Sequence, residues 1–125
     1  MNFKKLLLIL ILVAGAVYLL FSYFFKDVQI NKYDSIEAVR DQSAIQKGWV
    51  PAILPESASK IVETHDNDTN IILGSFIYEE KDEVNFIQNL TEMHDEKHTL
   101  FWENFLFRVD TSTNKVQFRN RVLTQ

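Results

Sequence analysis

The stretch IVETHDNDTNIILGSFIY, residues 61–78, decides the fold. Residues 61–64 and 71–78 are rich in β-branched and aromatic side chains, and the polar run Asp66-Asn67-Asp68 between them is a turn signal, so the reading is an antiparallel hairpin. On its N-terminal side, Trp49-Val50-Pro51-Ala52-Ile53-Leu54-Pro55 cannot be helical, because each proline lacks a backbone donor and restricts the residue before it. That segment reads as an extended apolar connector. Before it, Asp34 or Ser35 is placed to cap a helix through Ile36, Ala38, Val39 and Ile45, with Gly48 at a left-handed helix end and a polar link around Asn31 and Lys32.

On the C-terminal side, Asp82 is placed to cap a second helix in which Val84, Ile87, Leu90 and, if it runs on, Met93 recur at helical spacing, with Phe86 beside them. Residues 100–109 and 116–123 then read as two further strands around Thr111-Ser112-Thr113-Asn114. The order helix, hairpin, helix, hairpin predicts an α+β domain of two layers, with an antiparallel sheet of about four strands covered on one face by two helices. Alternation turns Phe105, Phe107 and Val109, with Val116, Phe118 and Val122, toward the helices, and Arg119 and Arg121 away from them. The other side of the first strand would carry Leu100, Trp102 and Leu106, too apolar for a wet face. Either the connector covers it or it is a partner surface, so Trp102, Leu106, Arg119 and Arg121 are candidate interface residues.

Residues 6–25 carry no formal charge, and at about 1.5 Å per helical residue they reach across a hydrocarbon core of about 30 Å. Lys4 and Lys5 precede this run, whereas Lys26 is followed at once by Asp27, so the basic bias predicts a cytoplasmic N-terminus, a single span of a bacterial inner membrane and an exported C-terminal domain. The division is therefore an anchor, residues 1–27, and an extracytoplasmic domain, residues 28–125. Ala14-Gly15-Ala16 also suits a signal peptidase, but cleavage there would leave Val17-Tyr18-Leu19-Leu20-Phe21 as an apolar new terminus, so the uncleaved reading is preferred. Leu12-Val13-Ala14-Gly15 begins like a lipoprotein processing signal, yet position 16 is Ala and offers no thiol to acylate.

The 125-residue chain has no cysteine, which excludes disulfides and every thiol-based site. From residue 28 onward, 10 Lys and Arg stand against 16 Asp and Glu, which argues against a nucleic-acid partner. The acids concentrate in residues 56–103, while residues 104–125 hold Arg108, Lys115, Arg119 and Arg121 against Asp110 alone, so the domain should be bipolar.

His65, Asp66, Asp68 and Asn70 form the densest polar cluster and are the candidate binding residues. The calcium-loop pattern wants a glycine where Ile71 stands and an acid where Ile77 stands, so the competing reading is a turn whose Asp and Asn side chains bond their own backbone. His94 and His98 have workable metal spacing if the second helix extends that far, but Asp95-Glu96-Lys97 is not the zinc-protease order and no third ligand is evident. Leu73-Gly74-Ser75-Phe76-Ile77 lacks the paired glycines of a nucleophile elbow, and three glycines in the chain build no phosphate loop. The sequence thus points to no catalytic residues, no metal ligands and no cofactor.

At Gly48-Trp49-Val50-Pro51, Leu54-Pro55-Glu56-Ser57-Ala58, Ile61, His65-Asp66-Asn67-Asp68-Thr69-Asn70 and Gly74-Ser75-Phe76, the chain resembles a group of uncharacterised bacterial lipoproteins and membrane-anchored proteins. Some members are acylated at a cysteine where this chain has Ala16. The resemblance implies an exported, envelope-associated domain and brings no activity with it. The functional expectation is a non-enzymatic, membrane-tethered interaction domain of the bacterial envelope with a protein partner. One form is an immunity-type inhibitor that meets a basic toxin through an acidic face. The alternative is a small ligand- or metal-binding domain using the His65 to Asn70 turn.

Overall fold

The computed structural model describes residues 2–25 and 28–121. The expected inward Val122 and the expected end of the last strand therefore lie outside the described residues. Helix α1 (Phe3–Phe25) has 23 residues, about 35 Å at the α-helical rise, and its described side chains are exposed. Among the described residues it is the one helix long and apolar enough to cross a membrane.

The rest forms one antiparallel sheet of seven strands among the described residues: β1 (Val28–Ser35), β2 (Ser59–Asp66), β3 (Ile72–Ile77), β4 (Thr91–Glu92), β5 (Leu100–Trp102), β6 (Phe105–Asp110) and β7 (Lys115–Asn120), in the spatial order β1-β2-β3-β7-β6-β5-β4. The α+β class holds, but four strands is a correction. The polar link at Asn31 and Lys32 is strand β1, which the sequence disguises because Gln29 and Asn31, not Val28 and Ile30, share a side with the buried Tyr33. The expected strand 100–109 is two strands, broken at Glu103 and Asn104. Glu103 adopts φ 49°, and Trp102 pairs with Phe105 across a two-residue turn.

The first helix, α2 (Ile36–Asp41), starts as expected: the Ser35 hydroxyl accepts a hydrogen bond from the Ala38 N–H at 3.3 Å. It ends sooner than expected, and residues 42–47 continue as turns that close at Gly48, whose φ of 80° suits glycine. The second helix, α3 (Glu83–Ile87), is also shorter. Asp82 does not cap it, because its carboxylate accepts from the Ser57 N–H at 3.2 Å, and the Ser57 hydroxyl in turn accepts from the Glu79 N–H at 3.0 Å. Phe86 is buried and Ile87 and Leu90 pack against the core as the expected stripe has them, while Val84 is 75% exposed and falls outside it. Asp82 thus ties the connector to this helix.

Helices α2 and α3 and the connector bury one sheet face through Ile36, Val39, Val50, Leu54 and Phe86 against Tyr33, Ile61, Phe76, Val116, Phe118 and Phe107. The connector is therefore on the same side as the helices, and among the described residues the other face has no layer of secondary structure on it. The two hairpins meet where β3 pairs with β7 and Gly74 stands opposite Phe118. A Cβ on Gly74 would lie 2.1 Å from the Phe118 ring, and Phe76, Phe105 and Phe107 surround that ring at centroid distances of 6.2, 6.1 and 6.4 Å. The ring has nowhere to go.

Gly74→Ala should therefore cost about 1–3 kcal/mol of stability by overpacking, read as a lower midpoint in denaturant at unchanged slope. An unchanged midpoint would show that the ring can give way. A second prediction concerns alkaline pH. Burial first, then the nearby Glu63 carboxylate, raises the Tyr33 phenol, and burial with the 2.7 Å hydrogen bond to Glu83 raises that of Tyr78. Each is an acid whose folded pKa exceeds the unfolded one, so its contribution is complete below pH 10.0 and is lost as pH rises toward the folded value. Thermal melts should fall away above pH 10.0, and Tyr78→Phe should make that fall shallower.

Candidate functional site

The polar cluster expected at residues 65–70 is split by strand alternation. His65 ends the inward series Ile61, Glu63, His65 of β2 and is 4% exposed, under the connector, with Trp49 stacked on its ring at 4.2 Å and 17°. Its Nδ1 lies 2.5 Å from the carboxylate of the fully buried Glu63, whose other oxygen accepts from the Asn31 side-chain amide at 2.9 Å. A buried carboxylate needs such partners, and this explains why β1 turns its polar residues inward.

Asp66, Asp68 and Asn70 build the turn itself. The Asp66 carboxylate accepts the Asp68 N–H at 2.9 Å, Asn70 takes φ 60°, and Asn120 holds the turn by donating to the Asn70 carbonyl at 2.7 Å and accepting the Ile72 N–H at 2.9 Å. His65 thus points to the opposite side from the turn carboxylates. Among the described residues no three His, Cys, Asp or Glu side chains are grouped to hold a metal ion. His94 and His98 lie beyond α3 in an irregular segment, both exposed, not on one helix face.

The open face is where side chains of mixed chemistry converge. The ladders carry two rows across it: Ile30, Thr64, Leu73, Arg119, Leu106 and Phe101, then Lys32, Val62, Ser75, Gln117 and Arg108. Between β2 and β6 the face is hollowed to about 490 Å³, within the range of ligand sites. Arg108, Lys115 and Arg119 line this hollow, and among the described residues no Asp or Glu does. The irregular segment from Met93 to Thr99 closes its side: the Met93 N–H donates to the Thr99 carbonyl at 3.1 Å, and Glu96 meets Arg119 at 3.5 Å. Thr99 is 3% exposed, lines the hollow and has a buried hydroxyl without a hydrogen-bond partner. An unpaired buried hydroxyl costs about 1–3 kcal/mol, and a bound acceptor there would remove that cost.

Of the candidate interface residues, Leu106 and Arg119 line the hollow. Arg121 lies over the Phe101 ring at 5.0 Å. Trp102 is a correction: the turn at Glu103 reverses the chain, so Trp102 pairs with Phe105 and packs against the core on the covered face. Sequence reading missed Lys115, Gln117 and Arg108. The period of two that placed Arg119 outward extends to Gln117 and Lys115 on the same strand. Thr99 had no such signal, because only the fold of the irregular segment brings it to the sheet.

A family model described as the YbbD head domain matches residues 27–77. The match includes the residues that carry the resemblance to bacterial envelope proteins, and it spans β1, α2, the connector, β2 and β3, short of half the chain. Strands β6 and β7, with the three cations of the hollow, lie outside it. No curated protein and no solved structure matches the chain.

Proposed function

We propose that the chain is a non-enzymatic, membrane-tethered interaction domain of the bacterial envelope, displayed outside the cytoplasm by α1, which takes a protein partner on the open face of its sheet. The observation that carries this reading is the hollow with three cations, one of them met by Glu96 at its side, no Asp or Glu among its described lining residues, and an unpartnered Thr99 hydroxyl. An immunity-type inhibitor is one form of it. The charge of the hollow favours an acidic segment on the partner, the reverse of a basic toxin meeting an acidic surface. The Glu63 and His65 pair supports a structural role, since it is buried on the other side of the sheet and lines no part of the hollow.

Placement rests on Lys4 and Lys5 ahead of α1, which favour retention of the N-terminus in the cytoplasm. Alkaline phosphatase fused after Gln125 should be active, because it needs the oxidising compartment. An inactive fusion at normal abundance would overturn the orientation.

For the surface itself, a photo-crosslinking residue in place of the exposed Gln117 should give a discrete adduct in cells, while the same residue in place of Asn85, exposed on α3, should not. Combining the Gln117 probe with Arg108→Glu and Lys115→Glu should cut the yield about tenfold, the loss expected of two exposed charge pairs turned repulsive. Adducts of equal yield from both probe sites, or a yield indifferent to charge reversal, would sink the proposed surface.

A further inference from the structure

Five large apolar side chains outside α1 are exposed among the described residues, and four of them form one corner of the open face. Val28 and Ile30, on β1, are 38% and 65% exposed, and Ile71 and Leu73, at the start of β3, are 42% and 51% exposed. The ladder sets them in two adjacent rows that span β2. Val28 pairs with Asp66, whose N–H donates to the Ile71 carbonyl, while Ile30 pairs with Thr64 and Thr64 with Leu73. The fifth, Val84, lies on α3, which follows the opposite end of β3. An exposed apolar block of this kind marks an interface.

Its place in the chain identifies the other side of that interface. Val28 follows the last residue of α1 by three peptide units, which span about 11 Å at most. Row order along the sheet then puts Ile71 in the row of Val28 with Asp66 between them, and Ile30 and Leu73 one pleat farther on with Thr64 between them. We infer that this corner, Val28, Ile30, Ile71 and Leu73, is seated in the lipid interface of the same bilayer that holds α1, so that the open face meets its partner at the membrane surface. The inference rests on α1 being a membrane anchor.

The contact is apolar in kind. Asp66 sits between Val28 and Ile71 with its carboxylate accepting from the turn, Asp68 is exposed in that turn, and Lys32 is exposed one pleat beyond Ile30 on β1, so the acids outnumber the cation and the corner has little net attraction for anionic headgroups. Arg119, paired with Leu73 across the seam, meets Glu96. Seating should therefore persist in zwitterionic lipid and at high salt, where screening removes contacts between exposed charges.

The absence of cysteine lets one introduced thiol carry a fluorophore in the full chain. Ile71→Cys, Val84→Cys and Val13→Cys, each reconstituted in zwitterionic nanodiscs containing spin-labelled lipid, report lipid proximity by quenching. Labels at positions 13 and 71 should be quenched and the label at 84 should not. Adding Ile30→Asp and Leu73→Asp, both at exposed positions, should reduce quenching at 71 to the level at 84 while leaving 13 unchanged. An unquenched label at 13 would overturn the anchor and the inference with it. Quenching at 13 without quenching at 71 would overturn the inference alone, as would quenching at 71 that survives the two aspartates or vanishes at high salt.

Discussion

The close approach of Phe118 to Gly74 is the constraint on which the sheet depends. One hairpin comes from β2 and β3 and the other from β6 and β7, and they become one sheet only where β3 meets β7. At that seam the Phe118 ring fills the space where any other residue on β3 would carry a Cβ. The ring then touches Phe76 on one side of the seam and Phe105 and Phe107 on the other, while Phe86 reaches Phe76 and Phe107 from α3. Aromatic edge and face contacts of this kind fix relative orientation as well as area, so one glycine sets both the approach of the hairpins and the seat of a helix.

Because the helices and the connector pack on that aromatic side, the second face of the sheet is left open among the described residues, except where the segment from Met93 to Thr99 lies along it. Its chemistry then follows from alternation alone. Residues that alternate with Val116 and Phe118 are Lys115, Gln117 and Arg119, and the residue between Phe107 and Val109 is Arg108. The bipolar charge of the sequence becomes a spatial division, with cations on the open face over β6 and β7 and acids such as Glu79, Glu80, Asp82 and Glu83 around the turn into α3. Among the described residues each Asp, Glu, Lys and Arg keeps contact with solvent apart from Glu63, which is held by Asn31 and His65 instead.

The hairpin of β2 and β3, the hairpin of β6 and β7, the Ser35 cap and the left-handed Gly48 were legible because each is a local signal of period, cap or turn. Strand β1 was not, since its inward residues are polar and make sense only beside Glu63 and His65, which are more than thirty positions away in sequence. The turn at Glu103 was hidden because neither Glu103 nor Asn104 interrupts the apolar run around it strongly enough to compete with a continuous strand. Of the site, alternation reached Arg119 and Leu106, while Trp102 fell on the wrong face as soon as that turn was missed. The irregular segment holding Thr99 follows from tertiary packing, and no periodicity reports that.

The hollow straddles the seam, and its two walls differ. From β2 and β3 come Val62, Thr64, Leu73 and Ser75, all uncharged; from β6 and β7 come Arg108, Lys115 and Arg119. A partner lying across it has to be amphipathic, with apolar or hydroxyl groups against the first wall and acids against the second. Strand β1, the sheet edge beyond the uncharged wall, is also the strand that follows α1, so that wall lies toward the tether and the cationic wall lies across the sheet from it. A partner bound in this sense is oriented relative to α1 as well as to the domain. Reversing its acidic and apolar halves would place its charges against Leu73 and Val62, where the lining is uncharged and the single cation Lys32 stands beyond Val62, against three cations on the other wall, so the reversed orientation would be the weaker one.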